Sequence, residues 1–311
     1  MANRLPHARR MMILRCLCEG CSIRSTARLL GVKKDTVCRL ILEFGKSCKA
    51  FLDDVMRHLT LEHCEIDEIW SFVAKKQSRL TTEERALRHD VGDVYLWTVV
   101  DAKTKLIPSF VVGKRSADNA RKLMMDLASR LTFPTPHQTD AHAFQEAKPI
   151  FITQISTDGF AAYPEAVDLA FGGRARYGQI IKQYRNAGMD YTPSEMIGTE
   201  RRGVAGINMH EERSICTSHV ERNNGTIRTF VKRFARLTNA FSKKIENHEA
   251  AVALFVAYYN FVWRTRRKDK SHKDDKKAMP GKLRPTAAMM AKVTDHLWAF
   301  EELYNTVIQY G

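Results

Sequence analysis

The chain has 311 residues, enough for one large domain with one or two small ones. Its 44% hydrophobic content is that of a folded soluble protein, but a net charge of +15 and a pI near 9.6 are unusual and favour a polyanionic partner, nucleic acid or an anionic membrane surface. The apolar run Met11 to Leu14 is too short for a signal peptide, Ala250 to Tyr259 is too short to span a membrane, and seven cysteines without a regular framework fit a reduced cytosol better than secretion.

Residues 8 to 45 carry the pattern of three short helices. Arg9 to Glu19 is closed by Gly20, and Ile23 to Leu30 is capped by Ser22. Gly31-Val32 makes a tight turn before a third helix, Lys33 to Phe44. Ala27 lets two helices cross closely, Gly31 takes the left-handed turn, and Val37 and Leu40 bury against the first pair. This is the helix-turn-helix pattern, with Lys33, Lys34, Asp35, Thr36 and Arg39 facing DNA. An ordinary helical hairpin with a solvated basic face, or a protein-contact module, has the same pattern. Cys18-Glu-Gly-Cys21 is a lone CxxC without a matching second pair, so packing is favoured over zinc. Residues 46 to 60 are expected to form a separate linking helix.

Glu65-Ile-Asp-Glu-Ile-Trp-Ser-Phe-Val73 reads as a buried strand with Asp67 near its centre, where a carboxylate needs a basic partner or a cation. Thr81 to Glu84 is a capping box for a short helix. Asp93 to Val100 and Leu106 to Val112 form a hairpin around Asp101–Lys105. Ser116 caps a helix from Ala117 to Leu131, residues 132 to 148 are a loop, and Pro149 to Thr157 is a fourth strand ending at Asp158-Gly159. The helical crossover makes that strand parallel to a neighbour. If the neighbour is the first strand, Asp158 comes near Asp67 at the end of the sheet where ligands bind. Arg174 to Tyr184 holds a candidate fifth strand, and 185 to 215 reads as an irregular insertion. A long helix runs from Thr217 to Arg236, another begins at Ser242, 264 to 277 is a basic linker, and Pro285 to Tyr304 is a final amphipathic helix or pair.

Asp67, Asp158 and Glu221 are hard oxygen donors that suit Mg²⁺ or Mn²⁺, and two such ions support phosphodiester cleavage and transfer. Asp67 is then the bridging ligand, with Asp158 and Glu221 each holding one ion. Each acid also has a local explanation: a basic partner for Asp67, a plain turn at Asp158-Gly159, and a capping box Ser218-x-x-Glu221. Asn224, Arg228 and Lys232 share the face of the Glu221 helix and are candidate phosphate contacts.

Ile66-Asp-Glu-Ile-Trp70, Ser156-Thr-Asp-Gly159-Phe-x-x-Tyr163 and Thr217-Ser-His-Val-Glu-Arg-Asn-Asn224 resemble the catalytic blocks of bacterial DDE transposases, in particular the insertion-sequence-one family. The resemblance runs from the helix-turn-helix to Tyr258–Trp263. It implies an α/β fold with an RNase H-like mixed-sheet core, an N-terminal all-α head and C-terminal helices. It also implies a triad of Asp67, Asp158 and Glu221, a divalent cation and recognition of an element's terminal inverted repeats. The 63-position gap between Asp158 and Glu221 (221 − 158) is long for that family, and its zinc-binding head is not present in full. On this reading the domains are 1–60 (DNA-binding head and linking helix), 61–263 (catalytic core) and 264–311 (basic linker and helical segment). The protein is expected in the bacterial cytoplasm at the nucleoid, working as a homo-oligomer on DNA. The competing functions are another RNase H-like integrase or nuclease, and a domesticated DNA-binding regulator.

Overall fold

A computed structural model describes residues 5–133, 153–185, 195–264 and 284–311. The chain folds as two compact units, one of Met1–Met56, Ser71–Asp93 and Thr226–Gly311, the other of Arg57–Trp70 and Val94–Gly225.

The first unit begins with α1 (His7–Cys18), α2 (Ile23–Leu29) and α3 (Lys34–Val55). The expected local signals are present. Ser25 donates its N–H to the Ser22 hydroxyl at 3.0 Å, and Gly20 and Gly31 take φ of +82° and +57°. Val32 donates its N–H to the Ala27 carbonyl at 3.0 Å, closing the turn, and Val37 and Leu40 are buried. Cys18 is buried, and burial pushes its thiol well above the ordinary range, as for an apolar packing residue. Lys33, Lys34 and Arg39 are exposed, and Thr36 is partly so.

The boundary expected near residue 45 is absent: α3 is one helix of 22 residues that absorbs most of the expected linking helix. Gly45 is a contact, not a break. A Cβ there would lie 2.3 Å from the Ala250 carbonyl oxygen and 2.6 Å from its Cα, on α8 (Ile245–Phe261). Gly45→Ala is therefore expected to destabilise by about 1–3 kcal/mol, although alanine has the better helix propensity by about 1 kcal/mol. Urea unfolding at neutral pH measures this, and a neutral or stabilised variant would refute the close crossing. Helix α8 is buried almost all round. The C-terminal segment, expected as one amphipathic helix or a pair, forms two short helices, α9 (Ala287–Met290) and α10 (Phe300–Val307). Tyr304 stacks on Phe44 at 5.2 Å and Phe261 lies 5.1 Å from Phe51, so the N-terminal helices share a core with the C-terminal ones.

The second unit is built on a six-stranded sheet in the order β3-β2-β1-β4-β5-β6. The strands are β1 (His63–Val73), β2 (Gly92–Asp101), β3 (Phe110–Gly113), β4 (Gln154–Asp158), β5 (Arg176–Arg185) and β6 (Glu195–Ala205). In chain order, α4 (Thr82–Leu87) falls between β1 and β2, closed by the expected Thr81–Glu84 capping box. After β3 comes α5 (Ala117–Arg130), capped by Ser116 with Leu123, Met124 and Leu127 buried. After β4 comes α6 (Tyr163–Phe171). Strand β2 pairs antiparallel with β3, and β4 runs parallel to both β1 and β5. The expected strand at 149–157 begins at Gln154; positions 149–152 and most of the expected loop at 132–148 lie outside the described residues.

Part of the irregular insertion expected at 185 to 215 is a strand, β6, while 186–194 lie outside the described residues. β6 pairs antiparallel with β5 from Tyr177↔Ala205 to Arg185↔Glu195. It lies at the sheet edge, where one flank needs no apolar partner, so its Gly, Arg and Glu content hid it.

Candidate active site

The parallel register of β1 and β4 aligns Glu65 with Ser156, and two residues further along each strand brings Asp67 level with Asp158. Ligand oxygens of Asp67, Glu68 and Asp158 lie within 4.8 Å of one another. Strand alternation alone would send Glu68 to the opposite face from Asp67. Asp67 folds back over its own peptide, its Oδ1 accepting the Glu68 N–H at 2.9 Å. Its Oδ2 accepts from Asn224 Nδ2 at 2.8 Å. Neither of these donors is the basic side chain that is the alternative to a cation at Asp67. Asp158 turns its chain end locally, with Oδ1 accepting the Phe160 N–H at 3.0 Å.

Two cations flank the acids. Arg115, on the approach to α5, is 3.3 Å from Asp158 and 3.7 Å from Glu68, with its guanidinium over the Phe160 ring. Lys182 on β5 is paired with Glu221. Glu221 lies in the first turn of α7 (Ser218–Phe230), and Thr217 Oγ1 also donates to it at 2.9 Å. The local partner is thus Thr217, not Ser218, and Lys182 reaches Glu221 from a different element.

The electrostatics follow from crowding acids in a part-buried pocket. Burial, chiefly, with repulsion from Asp158 and Glu221, pushes Asp67 up to about 6 against the Glu68 N–H and Lys182. Burial and the Asp158 charge push Glu68 up to about 7, opposed by Arg115 and by the Tyr163 hydroxyl, which donates to Glu68 at 3.0 Å. Glu221 is outside the three-carboxylate cluster but near enough for its charge to act on Asp67. Such a set of oxygen donors, short of matching positive charge, fits a hard divalent cation.

Glu68, Arg115 and Lys182 had no role in the sequence expectations. The one signal in the sequence was that Glu68 adjoins Asp67 in the same acidic, otherwise apolar strand. Asn224, expected to face DNA, is buried at 4% exposure and directed at Asp67, which takes it away from phosphate contact. Arg228 is partly exposed on α7. Lys232 is exposed, in a 3₁₀ turn (Lys232–Phe234) beyond the end of α7 at Phe230, where the expected helix to Arg236 breaks.

Residues 194–262, from β6 through α8, match the family model of the IS1 transposase. The insertion element iso-IS1n protein InsB of Shigella dysenteriae is 24% identical over 198 residues, which cover 64% of this chain and 96% of that protein. Over these residues the chain is similar to the IS1 transposase family. That DDE transposase family generally binds DNA and uses a divalent metal. Among the described residues, no helix is long and apolar enough to cross a membrane.

Proposed function

We propose that this chain is an IS1-family transposase that cuts DNA at the ends of its own element and joins the freed 3′-hydroxyls to target DNA. In this proposal an RNase H-like core uses Asp67, Asp158 and Glu221 as catalytic carboxylates. The observation that carries it is the meeting of Asp67 and Asp158 on adjacent parallel strands, with Glu221 in the first turn of α7, the helix whose Asn224 donates to Asp67. Asp67 and Asp158 would hold Mg²⁺ or Mn²⁺, with Glu221 completing the set for a second ion. Bound there, the ions would supply an activated water or 3′-hydroxyl and stabilise the leaving oxygen. Asn224 orients the Asp67 carboxylate by its amide hydrogen bond. Arg115 pairs with Asp158 and Glu68, and Lys182 with Glu221, which partly offsets the negative charge that would repel a DNA backbone.

The direct test incubates the full chain and Mg²⁺ or Mn²⁺ with DNA carrying the element's terminal inverted repeats. The expected products are end-specific cuts followed by covalent joining to a second DNA. Cutting without joining would favour a nuclease, and sequence-specific binding with neither would favour a regulator.

The three N-terminal helices are proposed as a helix-turn-helix, with α3 entering the major groove. Its exposed Lys33, Lys34 and Arg39, with Thr36 beside them, would contact DNA, as would Arg228 and Lys232 elsewhere in the same unit. Lys33→Ala and Lys34→Ala are expected to weaken binding across sequences and to lower the salt slope by about one for each phosphate left without its lysine. Arg39→Ala would cost about 1–3 kcal/mol of discrimination if it reads a base edge. Fluorescence anisotropy over a salt series measures these effects, and wild-type slopes in the lysine variants would remove α3 from the interface.

A further inference from the structure

Glu65 lies two residues before Asp67 on β1, on the same side of the strand by its period of two, and it is fully buried. A buried carboxylate requires donors, and here they all come from the start of α7. Oε2 accepts the N–H groups of His219 at 2.7 Å and Val220 at 3.0 Å, and Oε1 lies 2.6 Å from His219 Nδ1. The first N–H groups of a helix lack partners within the helix, and the helix dipole favours negative charge at that end. A local side chain usually meets that need, but Glu65 meets it from 154 positions away in sequence.

The same two elements meet again two strand residues later, where Asn224 donates to Asp67. Two strand residues advance about 6.6 Å, and the four or five helical residues from His219 or Val220 to Asn224 advance about 6–7.5 Å. The two anchors keep step, so α7 lies along β1 with a fixed register, and Glu221 falls between them. Cys216 joins Glu65 and His219 in a group with metal-ligand spacing. However, both carboxylate oxygens already have donors, and the positive end of a helix opposes a cation there.

We propose that Glu65 is a positioning residue for the active site, fastening the first turn of α7 to β1 so that Glu221 and Asn224 stand beside Asp67. The role of Glu221 in this statement rests on the transposase reading above.

The test compares full-length E65A and E65Q with wild type. It measures hydrogen exchange at the α7 first turn, Mn²⁺ affinity by electron paramagnetic resonance without DNA, and end cleavage. In E65A, exchange should quicken at 218–221, while Mn²⁺ affinity and the cleavage kcat fall by about 10–100-fold and the KM for DNA stays unchanged. E65Q keeps a carbonyl oxygen for the same N–H groups and should fall between the two, and it decides the matter if E65A fails to fold. Wild-type exchange and Mn²⁺ affinity in a folded variant would overturn the proposal. A wild-type protein that neither binds Mn²⁺ nor cuts DNA would overturn the functional reading, and exchange that still quickens in E65A would then keep Glu65 as the anchor of α7 and tell that failure from failure of the anchor itself.

Discussion

Asp67→Asn and Asp158→Asn are each expected to lower metal-dependent end cleavage by on the order of 10³-fold or more, equivalent to about 4 kcal/mol of transition-state stabilisation. Each substitution keeps the side-chain volume and one carbonyl acceptor, so the Phe160 N–H can still bond to residue 158, and one of the two donors at residue 67, Asn224 or the Glu68 N–H, keeps its partner. What is lost is the negative charge a divalent ion needs. Loss of fold cannot account for the effect at Asp67, because burial already disfavours that charge in the ion-free protein. Ion-free D67N should therefore have a urea midpoint at pH 7.5 equal to or above that of wild type, with DNA affinity retained. Glu221→Gln should lose cleavage similarly while releasing Lys182 from its ion pair. Loss of DNA binding in step with cleavage would show that these carboxylates serve a different role.

The second large effect is on stability in mild acid. His248 on α8 is fully buried, its Nδ1 lies 3.1 Å from Ser242 Oγ, and its Nε2 has no hydrogen-bond partner among the described residues. Burial, with Arg233 nearby, lowers its pKa to about 3. The unfolded chain has an ordinary imidazole near 6.5 and so takes up a proton that the folded chain refuses. The His248 contribution is complete above pH 6.5 and is lost as pH falls toward 3. The loss between pH 6.5 and 5 should be about 2 kcal/mol. Urea unfolding of wild type and His248→Gln at pH 7.5, 6.5 and 5 isolates it: whatever stability the variant has at pH 7.5, its decline should be shallower by that amount. Parallel pH profiles would mean that His248 is protonated in the folded protein.

Features set by neighbouring residues were readable before the fold was known. Ser22, Thr81 and Ser116 cap their helices, Gly31 turns left-handed between α2 and α3, and a helix before β4 implies a parallel strand. The alignment of Asp67 with Asp158 followed from that parallel pairing. What stayed hidden depended on partners distant in sequence. Gly45 looks like a helix breaker until Ala250 is packed against it, and β6 looks irregular until β5 supplies its hydrogen bonds. Asn224 looks like a surface amide until its helix is laid along β1, where it becomes a buried donor to Asp67. Glu68 had no role in the sequence reading, and strand alternation gives no reason for it to join Asp67, yet their carboxylates meet with that of Asp158.

The seam in which Gly45 meets Ala250 and Phe44 stacks on Tyr304 joins residues up to 260 positions apart (304 − 44). A ribosome must therefore synthesise those further residues before α1, α2 and α3 gain their full core. Nascent products that stop short of them would carry that apolar face open to solvent, prone to aggregation and proteolysis.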